Sequence, residues 1–237
     1  MVIKNTNKIC IIIPAYNEAK VIKDVILSLK KVFRRSSIKY TIVVINDGST
    51  DNTSSVAKST GAIVINHLLN MGPGRATATG LYYAKKYGYS TAATIDGDGQ
   101  HSPRDLIKGI KILQKEKIDL LIGNRLKKAN DMSLNKRFGN LILSYFTYLV
   151  FGVKITDSQS GLRIYSKKAI DNLKWHSSGY EFCSEMLWRA KQENLMISDY
   201  PIKAIYTSYS KQKGQNNWNA INIIKSIIKH RLVEIFG

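Results

Sequence analysis

Five short, β-branched apolar runs alternate with amphipathic stretches along the first half of the chain, and this alternation limits the fold more than any other feature. The runs are Ile9 to Ile13, Thr41 to Ile45, Ala62 to Ile65, Thr91 to Ile95 and Leu120 to Ile122. Each is continuous in its apolar character, as strands covered on both faces are. Between them, Val21 to Phe33 repeats Val25, Leu29 and Val32 at helical spacing, Thr53 to Thr60 is a short helical stretch, and Arg75 to Tyr87 and Arg104 to Lys115 complete the series. A βαβα order needs crossover connections, so the pattern predicts an α/β fold with a mostly parallel central sheet flanked by helices. After Gly123 the regularity weakens. A basic polar loop (Arg125 to Lys136), an apolar helix (Phe138 to Phe151), an irregular segment (Thr156 to Gly161) and a helix around Phe182 to Gln192 follow.

At 237 residues with 44% apolar composition, the chain can bury a sizeable core. Its 36 Lys and Arg against 17 Asp and Glu give a formal net charge of +19, which implies anionic partners: nucleic acid, phosphorylated substrates or a membrane surface. Cys10 falls in a predicted strand and Cys183 in a predicted helix, so a disulfide framework has no support and a reducing, cytosolic setting fits. Met1 to Lys8 is polar and lacks the apolar core of a signal peptide. Leu141 to Gly152 is shorter than the ~20 apolar residues a membrane span needs. Ile221 to Phe236 is interrupted by Lys225, Lys229, His230 and Arg231. Both stretches remain candidates for lying on a bilayer.

Two carboxylates and an amide stand at alternate positions in Asp96-Gly97-Asp98-Gly99-Gln100, directly after the fourth apolar run. Ser102-Pro103 then reads as the N-cap and first turn of a helix, which places the triplet at a strand's C-terminal end, where open α/β sheets bind ligands. On extended backbone Asp96, Asp98 and Gln100 lean to one side and offer hard oxygen ligands suited to Mg²⁺ or Mn²⁺. Gly97 and Gly99 keep the intervening positions slim. Pro14-Ala15-Tyr16-Asn17-Glu18 ends the first strand, and Asn46-Asp47-Gly48-Ser49-Thr50-Asp51 ends the second, so three polar loops converge on one edge. Tyr16 can pack on a base or ribose, while Glu18 and Asp47 can accept hydrogen bonds from ribose hydroxyls or ring nitrogens. Taken alone, Asp47 to Asp51 also reads as a plain turn before a helix. His67, His101, His176 and His230 show no ligand spacing and receive no metal role.

These three loops, in this order, resemble the signatures of family-2 inverting glycosyltransferases of the GT-A (Rossmann-like) fold. Asn70-Met71-Gly72-Pro73-Gly74-Arg75, Gly123-Asn124-Arg125 and Asp157-Ser158-Gln159-Ser160-Gly161-Leu162-Arg163 look like the dolichyl-phosphate mannosyltransferase and polyprenyl-phosphate glycosyltransferase branch. The resemblance spans roughly Ile9 to Lys213. It implies a catalytic domain over 1–214, with a nucleotide-sugar half (1–123) and an acceptor half (124–214), followed by a basic amphipathic helix over 215–237.

By that resemblance Pro14, Tyr16, Glu18 and Asp47 hold the nucleoside, and Asp96 with Gly97 lies near ribose and donor sugar. Asp98 and Gln100 bind a divalent metal that bridges both phosphates of a GDP- or UDP-sugar. Arg125, Arg137 and Arg163 form the cationic side of the pocket for a polyprenyl or dolichyl phosphate, since guanidinium groups stay charged and grip two oxygens at once. A phosphate monoester, with its second pKa of ~6, needs no strong general base to attack the anomeric carbon. Asp157 is then expected to orient Arg163 or Arg125. The sequence departs from the family's closing R-x-x-G-x-S-K segment at Ile205 to Gly214, where the arginine is missing, and Lys211 is the substitute chosen for the diphosphate clamp.

A long lipid acceptor requires peripheral binding at the cytoplasmic face of an anionic membrane, and leaves room for a membrane-anchoring subunit. Ile221, Ile224, Ile228, Leu232 and Ile235 follow helical spacing beside Lys225, Lys229 and Arg231, which suits an interfacial helix or a C-terminal helix docked on its own domain. The helix Phe138 to Phe151 can line a lipid groove or be core. A rival reading keeps the fold and transfers to a saccharide or protein hydroxyl. A nucleic-acid-binding protein is the remaining alternative; the scattered basic residues, the lack of a recognition motif and the three acidic loops argue against nucleic acid as a partner.

Overall fold

The structure is a computed structural model that describes residues 8–128, 134–205 and 228, with side chains placed at 8–127, 137–205 and 228. Strand β1 (Lys8–Ala15) leads through helix α1 (Ile22–Phe33) to β2 (Lys39–Asn46), then α2 (Thr53–Ser59), β3 (Ile63–Asn66), α3 (Pro73–Lys86), β4 (Thr91–Thr94), α4 (Pro103–Glu116) and β5 (Leu120–Asn124). The predicted alternation is present in full. After a 3₁₀ turn at Leu126–Lys128 come α5 (Leu134–Phe151), β6 (Arg163–Ser166), α6 (Lys167–Asn172), α7 (Phe182–Gln192) and β7 (Ile197–Pro201).

The seven strands form one sheet in the order β3-β2-β1-β4-β6-β5-β7. Only β6 runs against the rest, pairing antiparallel with β4 and β5. From β1 the chain builds outward to β2 and β3, then returns to lay β4 on the other side of β1. The order therefore reverses between β1 and β4, and the loops leaving their neighbouring C-terminal ends lead to α1 and α4. This switch point opens a crevice of the kind in which α/β sheets bind ligands. Into it run the Pro14–Glu18 and Asp96–Gln100 segments.

Alternation along the strands sorts the core into two layers. Ile9, Ile11 and Ile13 pack with Ile42, Val44 and the apolar stripes of α1 and α4. Cys10 and Ile12 pack with Val43, Ile45, Ala92 and residues of α3, α5, α6 and α7. Helix α3 approaches β1 so closely that a Cβ at Gly80 would lie 2.2 Å from Ile12 Cγ2. Helix α4 starts as expected, with Ser102 Oγ accepting from Arg104 N at 3.2 Å and Pro103 in the first turn.

Two expectations need correction. Helix α5 begins at Leu134, inside the segment expected to be loop. Strands β6 and β7 were not anticipated, because each is short and interleaves polar residues: Arg-Ile-Tyr-Ser and Ile-Ser-Asp-Tyr-Pro. Among the described residues no helix is long and apolar enough to cross a membrane.

Candidate active site

The three predicted loops meet, and their own polar groups tie them together. Asn17 N donates to Ser49 Oγ (2.9 Å), and Thr50 N donates to Asn17 Oδ1 (2.9 Å). Glu18 N donates to Thr53 Oγ1 at 2.8 Å, and Ala19 N to Asp51 Oδ2 at 3.1 Å. Asp51 Oδ1 also accepts from Thr53 N (2.9 Å), so this carboxylate starts α2 and pins the β1 loop at once. Pro14 closes β1, and its carbonyl lies 3.3 Å from where a Cβ on Gly97 would stand, which explains the slim residue there. Tyr16 is half exposed beside these loops, while Glu18 is buried.

Asp47 is more committed than the sequence implied. It is 3% exposed and accepts from Met71 N (3.0 Å), Gly72 N (2.8 Å) and His67 Nδ1 (2.7 Å). His67 Nε2 in turn meets Thr79 Oγ1 at 2.9 Å. The 67–72 loop is thus strapped across the end of β2, and a Cβ at Gly48 would strike the Leu69 carbonyl carbon at 2.3 Å. Gly72 takes φ 90°, a conformation that favours glycine, and a Cβ there would meet Ser178 O at 2.4 Å. The far side of this loop is held by the 175–178 segment: Gly74 N donates to Ser178 O (2.7 Å), and Trp175 Nε1 to Gly74 O (3.1 Å). Buried Glu185 anchors that segment through His176 N and Ser177 N.

At the end of β4, Asp96 Oδ2 pairs with His101 Nε2 at 2.9 Å. The His101 side chain is fully buried while 45% of the Asp96 side-chain surface remains open, so the histidine supports the carboxylate from beneath. On another side Asp96 rests on Gly161, where a Cβ would fall 2.1 Å from Oδ1. Desolvation by the packed protein around it acts to raise its pKa, but the His101 hydrogen bond and the His101, Arg125 and Arg163 charges outweigh it and hold the group below the usual carboxylate range. Asp98 moves the opposite way: burial, then the Asp96 charge, raise it, while hydrogen bonds from Gln100 and the His101 charge oppose the rise. Asp98 accepts from Gln100 N at 3.0 Å and from Gln100 Nε2 at 2.5 Å.

This donor set fits a divalent cation. Asp98 and Gln100 stand side by side with oxygen-bearing side chains, Gln100 Nε2 donating to Asp98 Oδ2. Among the described residues no cluster of three or more His, Cys, Asp or Glu forms a complete protein cage. Two protein ligands leave positions for substrate phosphate, the usual arrangement for Mg²⁺ beside a nucleotide.

On the acceptor side Asp157 is 0% exposed and grips Arg125 through both carboxylate oxygens: Nε to Oδ2 at 2.8 Å and Nη2 to Oδ1 at 2.8 Å. Arg125 N also donates to Oδ2 at 2.9 Å. Of the two partners expected for Asp157, the structure pairs it with Arg125. Arg163 requires correction. It is 1% exposed, donates to Ser160 O (3.0 Å) and Ser158 O (2.7 Å), and lies over the Phe182 ring at 5.4 Å, so it braces the 157–161 loop from inside instead of facing the pocket. Burial disfavours its charge, yet the Cys183, Tyr165 and Asp96 groups around it raise its pKa further. Arg137 is exposed near the start of α5. Lys211 and the 215–237 segment lie outside the described residues, apart from Ile228, which is helical and exposed.

Sequence reasoning missed His67, His101 and Glu185. Ligand spacing was the wrong criterion for the two histidines, because each supports a carboxylate; the position of His101 directly after the acidic triplet was the available signal.

The Glycosyl transferase family 2 profile matches residues 10–174, taking in all three loops and the Arg125–Asp157 pair. The chain belongs to this family of glycosyltransferases. It is similar to an uncharacterised protein of Methanocaldococcus jannaschii, 41% identical over 96% of this chain and 94% of the other. It is also similar to the UDP-N-acetylglucosamine–dolichyl-phosphate N-acetylglucosaminyltransferase of Methanococcus voltae, 40% identical over 88% and 90%. The polyprenol monophosphomannose synthase of Mycolicibacterium smegmatis is 25% identical over 96% and 87%. Among solved structures, glucosyl-3-phosphoglycerate synthase from Mycobacterium tuberculosis, crystallised with Mn²⁺ and UDP, superposes with a TM-score of 0.73 at 18% identity, covering 96% of this chain and 79% of that one. The fold is therefore GT-A, as the motif order implied.

Proposed function

We propose that this glycosyltransferase moves a sugar from a nucleoside diphosphate to a polyprenyl or dolichyl phosphate, with inversion at the anomeric carbon. The observation that carries this reading is the Arg125–Asp157 pair. A hydroxyl acceptor needs a base to take its proton. Asp157, the carboxylate at the acceptor side, is sealed from solvent with both oxygens on a guanidinium, which suits it to hold a cation and not to receive a proton. A phosphate acceptor arrives already ionised and needs a cation.

In this mechanism Tyr16, Pro14 and Glu18 receive the nucleoside at the β1 edge, and Asp47 sets the 67–72 loop that borders it. Asp96, kept ionised by His101 and resting on Gly161, accepts hydroxyl hydrogen bonds from ribose or donor sugar beside Gly97. Asp98 and Gln100 would hold Mg²⁺ or Mn²⁺, which neutralises charge on the departing diphosphate. Arg125, steadied by Asp157, with exposed Arg137, draws the acceptor phosphate into line. One phosphate oxygen bonds to the anomeric carbon as the bond to the nucleoside diphosphate breaks, and no proton moves. Lys211 completes the diphosphate clamp.

The Methanococcus voltae relative makes UDP-N-acetylglucosamine the first donor to try, and the mannose in the name of the Mycolicibacterium smegmatis relative makes a mannosyl donor, with GDP-mannose as the probe, the second. A lipid acceptor calls for peripheral attachment to the cytoplasmic face of a membrane, directly or through an anchoring subunit. The reading is tested by pairing short prenyl phosphates with the matching prenols. Transfer to the phosphate alone supports it; equal transfer to the alcohol overturns it.

A further inference from the structure

Helix α5 buries only one of its faces. Leu143, Ser144, Thr147 and Phe151 are buried, with Phe151 stacked on Trp188 of α7 at 5.5 Å and Thr147 Oγ1 on Ser184 Oγ at 2.8 Å. The opposite face carries Phe138, Leu141, Tyr145, Tyr148 and Leu149, which are 66%, 42%, 60%, 46% and 58% exposed. Spaced at three and four residues, they form one stripe along a helix about 27 Å long at 1.5 Å per residue. Isolated exposed apolar residues are ordinary, but a contiguous stripe marks an interaction surface.

Charge narrows the occupant. From Met132 to Thr156 the chain contains Lys136, Arg137 and Lys154 and no Asp or Glu. An apolar stripe with tyrosines and only basic companions matches the interfacial zone of an anionic bilayer, whereas a protein groove built for a basic helix would ask for paired acids along it. The buried face also reaches the acceptor loop: Ser144 Oγ accepts from Ser158 N at 3.0 Å and donates to Ser158 Oγ at 3.2 Å. Ser158 directly follows Asp157, the residue that holds Arg125.

We propose that the exposed stripe of α5 seats the chain on an anionic lipid bilayer, and that this seating holds the Asp157–Arg125 pair at the level where a lipid-borne phosphate enters. The second clause rests on the lipid-phosphate reading above; the first stands without it. Cosedimentation of the full chain with phosphatidylglycerol–phosphatidylcholine vesicles, and with phosphatidylcholine vesicles alone, reads the seating. The double variant Tyr145→Asp, Leu149→Asp is expected to lose at least tenfold in binding to the anionic vesicles and a similar factor in transfer to a long polyprenyl phosphate embedded in them. Transfer to a short, water-soluble prenyl phosphate and the urea unfolding midpoint should not move. Unchanged vesicle binding, or self-association of the parent that the variant abolishes, overturns the proposal. An equal loss on the soluble acceptor overturns it as well, since the stripe would then act on the site itself.

A second readout does not depend on activity. Cys10 and Cys183 are buried with raised pKa values, so Tyr145→Cys can be labelled singly with an environment-sensitive fluorophore. A blue shift on adding anionic vesicles is expected, and no shift contradicts the seating. If the parent binds vesicles but transfers to neither acceptor, the seating stands and the lipid-phosphate function falls.

Discussion

The donor side and the acceptor side solve the same problem, fixing charged groups beside a pocket, in different ways. On the donor side the carboxylates sit on loops at the ends of parallel strands and are positioned by backbone amides and histidines: Asp47 by Met71 N, Gly72 N and His67, and Asp96 by His101. On the acceptor side the charges compensate one another inside the protein, with Asp157 clasping Arg125 and Arg163 braced on carbonyls. Part-exposed donor-side groups such as Asp98 can therefore be lost at less cost to the fold than buried Asp47 or Asp157, whose loss strands buried partners. The acceptor proposed here, a lipid phosphate, would account for the asymmetry, because it calls for a rigid cation and not for a movable base.

The largest effect expected is at Asp98. Asp98→Asn should cut transfer about a thousandfold, the loss of roughly 4 kcal/mol of leaving-group stabilisation, with the urea midpoint nearly unchanged. Asp157→Asn should separate the two sides: about a tenth of the transfer rate is kept, while stability falls by up to about 3 kcal/mol as Arg125 loses its partner. Steady-state rates and urea titrations of both variants check this, and equal rate losses would break the contrast.

Gly161→Ala sharpens it. The added Cβ would fall 2.1 Å from Asp96 Oδ1 and 2.4 Å from Cγ, so the carboxylate must leave its place on buried His101. A tenfold rise in donor KM or fall in kcat, about 1.4 kcal/mol, is expected, with stability lowered by about 1–3 kcal/mol as His101 loses its acceptor. The effect of acidification should be smaller. Asp98 must be ionised to hold a metal, so metal-dependent donor binding should weaken as pH falls towards the range where carboxylates protonate. Calorimetric titration of the nucleotide across pH, with Mn²⁺ and with EDTA, reads the loss; a metal-dependent gain in affinity that stays constant on acidification would contradict it.

The donor side was legible in the sequence because its signals are local. Continuous apolar runs gave β1 to β5, Ser102-Pro103 gave the start of α4, and the loops after β1, β2 and β4 had to meet once the sheet was parallel. The commitment of Asp47 was not legible, since its partners lie 20 to 25 residues away in a loop of no regular pattern. On the acceptor side β6 was hidden because it runs antiparallel between β4 and β5, an insertion that no periodicity announces. Arg163 was expected in the acceptor pocket from the resemblance, yet the fold encloses it against the Ser158 and Ser160 carbonyls and the Phe182 ring.

The central claim is the lipid phosphate acceptor. Purified chain should be incubated with Mg²⁺ or Mn²⁺, a polyprenyl phosphate in anionic vesicles, and radiolabelled UDP-N-acetylglucosamine or GDP-mannose in parallel. Label entering the organic phase from one donor, and stopped by EDTA, is the predicted result. Donor consumed with label appearing only in water, or on a saccharide or protein hydroxyl, would contradict it.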